Sequence, residues 1–476
     1  MHPGSRDRPA GGRLRGPAAA PARGPRMRPR RAGTWARGAQ VATLYLLLAT
    51  LAGCAGWGQR PPLRHAPAPA PVPFALNSFE LAGDTDVVGR LRYTTVQGEE
   101  TLLDIARAYD LGYDEIRAAN PTVDPWTPPA GQRIVLPTAH VLPQTPRQGI
   151  VINLPARRLF YYPPAEPGAP RRVITHPIGI GREGWATPLG ATRVARKHPS
   201  PAWTVPASIR REHAAKGDPL PAVVPPGPNN PLGSHALRLG WSSILIHGTN
   251  KPAGIGMRVS HGCIQMYPED IAPLFEAVPV GTPVTVVDQP YLAGVGADGL
   301  VLEAHPPLPE RAPTPRQRMT LVTGALEQAI TRHGLHDTVL VDLAHAGELA
   351  DRATGYPLPV AAGAPATEAY LAALPPAPLL PSPYVAPVAS GDWYVDLGSF
   401  KSDANARRLV AMLLHQGPPI PARREAQADR VQVLAGPFTS QAAARAAAKR
   451  IDRDLDESGR VRHLPDGHLT QASVRP

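Results

Sequence analysis

Proline is the residue that most limits how this chain of 476 residues can fold, because it occurs 61 times beside 44 glycines. Proline removes a backbone donor and glycine adds conformational freedom, so a chain this rich in both is too interrupted to form one compact body. Proline-rich stretches such as "RPPLRHAPAPAPVPF" fall within residues 54–88, and an Ala/Pro-rich stretch spans residues 362–390. Both segments predict linkers that divide the chain into several domains.

The formal net charge of +12 is concentrated at the N-terminus. Residues 1–40 contain ten arginines and one acidic residue, Asp7, so this segment carries +9 and the remainder of the chain only +3. Charge in a removable leader does not describe the mature protein's ligands. We therefore expect no nucleic-acid partner.

The leader itself has the order of a secretion signal. Arginines up to Arg37 precede the apolar run "VATLYLLLATLAG", which is too short to span a bilayer comfortably. The run ends in "LAGC", which resembles the bacterial lipobox, whose cysteine is diacylated and becomes the first residue. The resemblance implies a signal peptide over residues 1–53, lipidation at Cys54 and a lipidated tether over residues 54–88. The alternative is an inert cysteine at the end of an uncleaved anchor.

Two details extend the lipobox interpretation. Translation from Met27 would leave a signal of ordinary length, so the start is either Met1 or Met27. Ala55, not aspartate, follows the cysteine, and this context implies sorting to the outer membrane with the protein facing the periplasm. With Cys54 acylated, Cys263 is the one remaining cysteine, and a lone thiol in an oxidising compartment is more often catalytic than structural.

A small module is predicted over residues 90–139. A short strand precedes apolar residues at helical spacing, a second helix over about 113–119 ends before Pro121, and "RIVLP" is a closing strand. This βααβ order, with "VQGEETL", "AAN" and "GQRIVLP", resembles a LysM domain, which binds N-acetylglucosamine in peptidoglycan. The alternative is a structural cap on the next domain. The extra residue at Glu99-Glu100 distinguishes this chain from the usual pattern.

Residues 148–291 are predicted to be mainly β, a β-sandwich or barrel-like body of many short strands with one amphipathic helix in "YPEDIAPLFEAV". A helical extension is expected over residues 292–361.

The segment 391–466 is predicted to contain a strand followed by a helix twice, and "LGSF" in the first unit corresponds to "AGPF" in the second. This repeat resembles a SPOR domain, an α+β sheet that binds glycan strands abundant at division septa; the alternative is a generic interaction domain. The implied glycan-binding residues are Gly398, Ser399, Phe400, Gly436, Pro437 and Phe438.

The stretch "IHGTNKPAGIGMRVSHGCIQM" concentrates the reactive side chains. A thiol is a poor nucleophile until a neighbouring base takes its proton. His261 lies two residues before Cys263 and would point parallel to it, whereas His247 follows the strand "SSILI" and can approach the sulfur from another strand. We therefore choose His247 as the base. Gly262 permits a tight turn before the nucleophile, and backbone N–H groups there can face an oxyanion.

Two other chemistries fit the motif less well. A structural zinc site needs about four Cys/His ligands at close spacing, and this stretch has one cysteine, so no metal is expected. A papain-like protease places its cysteine before its histidine, and the order here is reversed. An accidental cluster is a further alternative.

The motif "HGTN…GIGMRVSHGCIQM" resembles the signature of the L,D-transpeptidase (YkuD-type) family, as do "TPLGATRVARKHPSPAW", "GPNNPLG" and "GTPVTVVDQPY". The resemblance implies that Cys263 attacks the third residue of a peptidoglycan stem tetrapeptide and forms a thioester, with no cofactor. An amine then accepts the acyl group, giving a 3→3 crosslink or joining a lipoprotein to the wall. It also implies His247 as the base, an active-site loop of Ser260, His261 and Gly262, and a Gly248 carbonyl that orients His247.

Two other functions stay open. A hydrolase would use water as the acceptor, and an inactive scaffold would only bind peptidoglycan.

Gln265 stands where many family members have arginine or asparagine, and glutamine keeps hydrogen-bonding capacity without the charge. The predicted location is the periplasmic face of the outer membrane, with enrichment at the septum.

Overall fold

The computed structural model describes residues 76–165, 167–215, 217–383 and 390–464. The predicted signal peptide, Cys54 and most of the predicted tether lie outside these residues. Among the described residues, no helix is both long enough and apolar enough to cross a membrane.

The end of the predicted tether is part of the fold, which corrects its boundary at residue 88. Strand β1 (Ser78–Leu81) joins the edge of the central sheet, and β2 (Val87–Gly89) pairs with residues 139–141. Leu81 is buried and Phe79 packs against the same core. The prolines stop at Pro73, so the backbone N–H groups beyond it can join a sheet.

The LysM-like module has the predicted order of strand, helix, helix and strand. Strands β3 (Arg92–Thr95) and β4 (Arg133–Leu136) pair antiparallel, with α1 (Leu102–Ala108) and α2 (Tyr113–Ala119) between them in sequence. Helix α1 begins after Thr101 because Thr101 and Asp104 form a capping box. Leu102, Ile105, Ala106 and Tyr109, the residues at helical spacing, are buried in one core.

The central domain contains thirteen strands and two helices of the described chain, and short 3₁₀ turns at Pro252–Gly254 and, beyond the domain, at Pro309–Arg311. Its elements, in chain order, are β5 (Ala139–Val141), β6 (Gly149–Asn153), β7 (Arg158–Tyr162), β8 (Arg171–Pro177), β9 (Ile180–Gly181), β10 (Gly190–Pro199), β11 (Trp203–Thr204), α3 (Ala207–Ala215), β12 (Val223–Val224), β13 (His235–Leu239), β14 (Leu245–His247), β15 (Arg258–Ser260), β16 (Ile264–Gln265), α4 (Pro268–Ala277) and β17 (Pro283–Val287).

Nine strands form one mixed sheet in the order β1-β8-β7-β6-β17-β10-β13-β14-β16. The pairs β6–β17 and β14–β16 are parallel, and the other pairs are antiparallel. Tyr161 of β7 and Ile264 of β16 lie far apart in this order yet share one core with Ile271 and Leu274 of α4. The sheet therefore curls around a single core, and the expected mainly β body is confirmed.

The extension after the central domain contains strands as well as helices, which corrects its description as helical. Strands β18 (Tyr291–Gly296), β19 (Gly299–Ala304) and β20 (Pro357–Pro359) form a small sheet, and α5 (Pro315–His333) and α6 (Leu343–Arg352) pack on it. The hairpin of β18 and β19 was not predicted, because "YLAGVGADGLVLEA" is rich in glycine and alanine, which have low strand propensity.

The first part of the predicted linker is packed against the LysM-like module. After α7 (Thr367–Ala372), the N–H of Tyr93 donates to the carbonyl of Pro375 at 3.1 Å, and the Tyr109 hydroxyl donates to that of Pro378 at 2.8 Å. Proline lacks an N–H, but its carbonyl still accepts, so a proline-rich strand can line another domain. This corrects the expectation of a flexible linker over residues 362–383; residues 384–389 lie outside the described chain.

The SPOR-like domain unites both halves of the sequence repeat in one sheet. It comprises β21 (Trp393–Phe400), α8 (Asp403–Leu414), β22 (Ala422–Gln427), β23 (Arg430–Phe438), α9 (Gln441–Leu455) and β24 (Arg460–His463). The strand order is β22-β23-β21-β24, and residues of both helices share a core with the sheet. The expected α+β class is confirmed.

A buried histidine between two carboxylates joins the LysM-like module to the central domain. His176 on β8 has its Nδ1 atom 3.7 Å from Asp110, which follows α1, and 3.4 Å from Asp270 on α4. Burial alone would lower the pKa of His176, but the two carboxylates outweigh it and raise the pKa to about 10. The ligand atoms of these three side chains lie close enough together to hold a metal ion. The protonated histidine already supplies the positive charge that the carboxylates of Asp110 and Asp270 need.

Replacing this histidine should weaken the fold in a pH-dependent way. His176→Leu removes the protonated imidazole from between Asp110 and Asp270, which we expect to cost about 3–5 kcal/mol of unfolding free energy near pH 6. The folded state stabilises the protonated form, so the contribution is complete below the unfolded pKa of about 6.5 and is lost as the pH rises through about 10.

Urea unfolding between pH 6 and pH 10 measures this effect. Wild type should approach the His176→Leu variant as the pH rises. His198→Leu, the same change on β10, is the matched control for the loss of a histidine outside this buried cluster. An offset for His176→Leu that is independent of pH would contradict the charged assignment.

Candidate active site

Two short parallel strands bring the histidine and the cysteine of the motif together. Ile246 of β14 lies opposite Ile264 of β16, and His247 lies opposite Gln265. Side chains alternate between the faces of a strand, so the two isoleucines point into the core, where both are completely buried. His247, Gln265 and Cys263 are therefore on the other face, and all three line one cavity of about 570 Å³.

His247 is held in one tautomer by its own neighbour. Its Nδ1 atom lies 2.6 Å from the carbonyl oxygen of Gly248, and because a carbonyl can only accept, Nδ1 carries the proton. Nε2 is then the nitrogen that can take up a proton. Burial lowers the pKa of His247 to about 4, against the opposing effect of backbone hydrogen bonds with Gly248 and Leu232. The imidazole is thus neutral at neutral pH.

Cys263 is likewise uncharged in the resting site. Burial raises the pKa of its thiol, although a backbone hydrogen bond with Leu245 acts in the opposite direction. The Sγ atom donates to the carbonyl of Ser243 at 3.6 Å. The site therefore holds a thiol beside a neutral imidazole, not the thiolate–imidazolium pair that a strongly activated cysteine would form.

The loop before the cysteine is fixed by two hydroxyl groups. Ser260 Oγ donates to the carbonyl of Cys263 at 2.6 Å, and Thr187 Oγ1 donates to the carbonyl of Gly262 at 3.0 Å. Gly262 has φ +97°, a left-handed conformation that favours glycine. Thr187 was missed from the sequence, although it is the first residue of the quoted segment "TPLGATR".

His261 contacts a polar cluster beside the loop and does not occupy the position of the base. Its Nε2 atom lies 3.1 Å from Glu212 and 2.9 Å from Arg182, and Trp185 contacts its ring edge-on. Arg182 and Glu212 also pair with each other at 2.6 Å. The ring is thus part of a polar cluster beside the loop, and neither Glu212 nor Arg182 carried a sequence signal.

One wall of the cavity depends on a buried asparagine that sequence reasoning also missed. Asn230 is fully buried; its Nδ2 donates to the carbonyls of Pro201 and Pro225 at 2.9 and 3.0 Å, and its Oδ1 accepts from the N–H of Leu232 at 2.9 Å. Leu232 lines the cavity. The signal was present in "GPNNPLG", where asparagine between prolines and glycines marks an ordered turn.

Residues of other domains complete the cavity. Trp126 comes from the LysM-like module, and Met412, His415 and Gln416 come from the SPOR-like domain. No local pattern connects these residues with Cys263. Only the packing of the domains brings them to the site.

The six residues implied for glycan binding lie at two ends of the SPOR-like sheet. Strands β21 and β23 are antiparallel, and Ser399 pairs with Gln432 whereas Phe438 pairs with Trp393. Gly398–Phe400 and Gly436–Phe438 are therefore separated by five or so residues of strand, about 17 Å. Phe400 and Phe438 are half-buried against the domain core. The structure does not bring the two motifs together.

Three stretches of the chain match known domain families. Residues 93–137 match the LysM domain, residues 147–286 the L,D-transpeptidase catalytic domain (YkuD), and residues 389–459 the SPOR domain. These matches cover all three domains expected from the sequence.

The chain is also similar to L,D-transpeptidases along most of their length. It is 38% identical over 265 residues to "Probable L,D-transpeptidase YcfS" of Escherichia coli, an alignment that covers 54% of this chain and 82% of the relative. It is 43% identical over 239 residues to "Probable L,D-transpeptidase YbiS" of Escherichia coli (50% and 75%) and 39% identical over 277 residues to "Probable L,D-transpeptidase ErfK/SrfK" of Salmonella typhimurium (56% and 84%). The chain therefore belongs to the L,D-transpeptidase family of cysteine transpeptidases that act on peptidoglycan, and it has the LysM and SPOR domains through which it binds that polymer.

Proposed function

We propose that Cys263 is the nucleophile and His247 the general base of an acyl transfer between peptidoglycan stem peptides. The observation that carries this proposal is that His247 at the end of β14 and Cys263 immediately before β16 line the same cavity. The donor is the third residue of a stem tetrapeptide, whose carbonyl carbon Sγ attacks. Backbone N–H groups of the 260–263 loop are the candidates for stabilising the oxyanion.

The proton moves within the site because both partners start neutral. As Sγ bonds to the carbonyl carbon, Nε2 of His247 takes the thiol proton; the imidazolium then gives it to the leaving amine of D-alanine. The product is a thioester on Cys263. In the second half-reaction an incoming amine loses its proton to Nε2, displaces the thiolate, and the thiolate regains a proton from the imidazolium.

The acceptor that we propose is an amine: diaminopimelate of another stem, which gives a 3→3 crosslink, or the C-terminal lysine of a lipoprotein. Apolar cavity residues such as Ile209, Leu232 and Met257 support transfer to an amine over hydrolysis, because they limit the water near the thioester. Gln265 offers a hydrogen bond without a charge in this cavity. A hydrolase is the second candidate, and mass analysis of stem-peptide products distinguishes the acceptors.

Variants of the three reactive residues test the assignment. Cys263→Ala should abolish the thioester with a soluble tetrapeptide, and His247→Ala should lower the acylation rate by about 10²–10⁴-fold, the usual contribution of a general base. His261→Ala is the matched control and should lower it far less, since its ring contacts Glu212 and Arg182. Intact-mass kinetics measures the adduct. A severe His261→Ala defect with a mild His247→Ala defect would reverse the assignment.

The acid limb of the pH profile tests the state of the base. Protonation of His247 removes the base, and its pKa of about 4 means that the free base persists well below neutral pH. We expect kcat/KM for acylation to fall to half near pH 4, not near the ordinary histidine value of about 6.5. His261→Ala should leave this midpoint in place. A midpoint near pH 6.5 would show that His247 is not desolvated in the free enzyme.

The envelope location that we propose is the periplasmic face of the outer membrane, with lipid attached to Cys54. The support is the "LAGC" motif, which precedes the described residues. Two acyl chains suffice for stable anchoring, whereas one does not. The SPOR domain supports enrichment at the division septum, where its glycan ligands are abundant.

Removing the predicted lipidation site tests the anchor. Cys54→Ser should leave an unacylated precursor that no longer fractionates with the outer membrane, because the diacyl group is attached to that sulfur. Metabolic labelling with palmitate and membrane fractionation measure the two effects. Cys263→Ser is the matched control and should be labelled like wild type. Normal processing of the Cys54→Ser protein would refute the lipobox interpretation.

A further inference from the structure

The SPOR domain is packed along one side of the active-site cavity. The turn between α8 and β22 contributes His415, Gln416 and Gly417 to the cavity wall. The ring of His415 meets Trp126 of the LysM domain edge-on, with ring centroids 5.8 Å apart. The domain that follows the catalytic domain in sequence thus borders the space in front of Cys263.

Gly417 packs tightly against the catalytic domain. A Cβ atom on this residue would lie 2.1 Å from Cγ of Lys251 and 2.5 Å from the carbonyl oxygen of Asn250. Both contacted residues belong to the segment that follows His247. The φ of Gly417 is outside the left-handed region, so it is space, not backbone conformation, that requires glycine here.

Complementary charges surround this contact. Acidic residues of the LysM domain face basic residues of the SPOR domain, and one acidic residue of the catalytic domain does the same. The pairs are Glu99 with Arg424, Asp104 with His415 at 3.2 Å, Asp124 with Arg408, and Asp218 with Arg453 at 2.8 Å.

Two of these four pairs are exposed to solvent, whereas the side chains of Asp104 and His415 are only 13% and 11% exposed. The side chains of Asp124 and Arg408 are 35% and 44% exposed, and those of Asp218 and Arg453 are 35% and 43% exposed. Exposed ion pairs are weak and are screened by salt, in contrast to buried ones. The SPOR domain is therefore held partly by exposed charges that salt can weaken and partly by the buried pair of Asp104 and His415 beside the cavity.

We propose that the SPOR domain is a gate that is latched by these charges over the active-site cavity, and that its release increases access to Cys263. The cavity of about 570 Å³ has the size of a pocket for one ligand (~300–1,000 Å³), whereas acyl transfer brings two substrates to the thiol. The docked SPOR domain then limits entry of the second substrate. This last consequence rests on the proposed function, but the gating of the thiol does not.

Alkylation of Cys263 by a bulky maleimide tests the gate without any peptidoglycan substrate. Gly417→Leu should push the SPOR domain away and increase the rate constant at low salt by about fivefold or more, the lower end of typical coupling between sites. Asp429→Leu, the same side chain added at the exposed β22–β23 turn, is the matched control and should react like wild type. Peptide mass spectrometry assigns the adduct to Cys263.

The charges supply a second test that does not depend on Gly417. Arg408→Glu should also speed alkylation, Asp124→Arg added to it should restore the slow rate, and Arg445→Glu on the exposed side of α9 should have no effect. Added NaCl should accelerate wild type and leave Gly417→Leu unchanged. Equal rates for wild type, Gly417→Leu and Arg408→Glu at every salt concentration would overturn the gate. An inactive but still gated protein would refute the proposed function alone.

Discussion

The parallel pairing of β14 with β16 is the interaction on which the rest of the site depends. Each strand has only two or three residues, and what holds them is the burial of Ile246 and Ile264 in the core beneath. Burying one such side chain contributes about 1.5–3 kcal/mol. Because side chains alternate along an extended chain, His247 and Cys263, each next to one of these isoleucines, line the cavity. The chemistry on one face is thus positioned by the hydrophobic contact on the other.

Burial also sets the protonation state of the reactive pair. It lowers the pKa of His247 and raises that of Cys263, so the two effects favour the uncharged forms together. A protonated thiol reacts slowly with oxidants and other electrophiles. In the proposed mechanism the charge develops only when a substrate carbonyl is in place to accept the sulfur.

Two kinds of charge contact connect the domains, and they differ in strength. Between the LysM and catalytic domains, His176 is buried with Asp110 and Asp270, and Arg158 is buried with Glu115 at 2.8 Å. Breaking buried pairs of this kind costs about 3–5 kcal/mol, whereas exposed pairs such as Asp124 with Arg408 and Asp218 with Arg453 contribute about 0–1 kcal/mol each. The LysM domain is therefore fixed to the catalytic domain by buried charges, whereas two of the four ion pairs of the SPOR domain are exposed.

The sequence by itself determined the three domains, their order, the elements of the LysM domain and the two strand–helix units of the SPOR domain, but not its strands β22 and β24, because the predicted elements depend on local periodicity and turn residues. The sequence also identified the histidine–cysteine motif, because a cluster of reactive side chains beside glycine is recognisable without structural information. It did not reveal β1, the packing of residues 375–378 on Tyr93, or Thr187 and Asn230 beside the cavity, because each depends on partners distant in sequence. Tertiary structure alone decided that Trp126 and His415 would border Cys263, since which surfaces meet follows from the shapes and charges of whole domains.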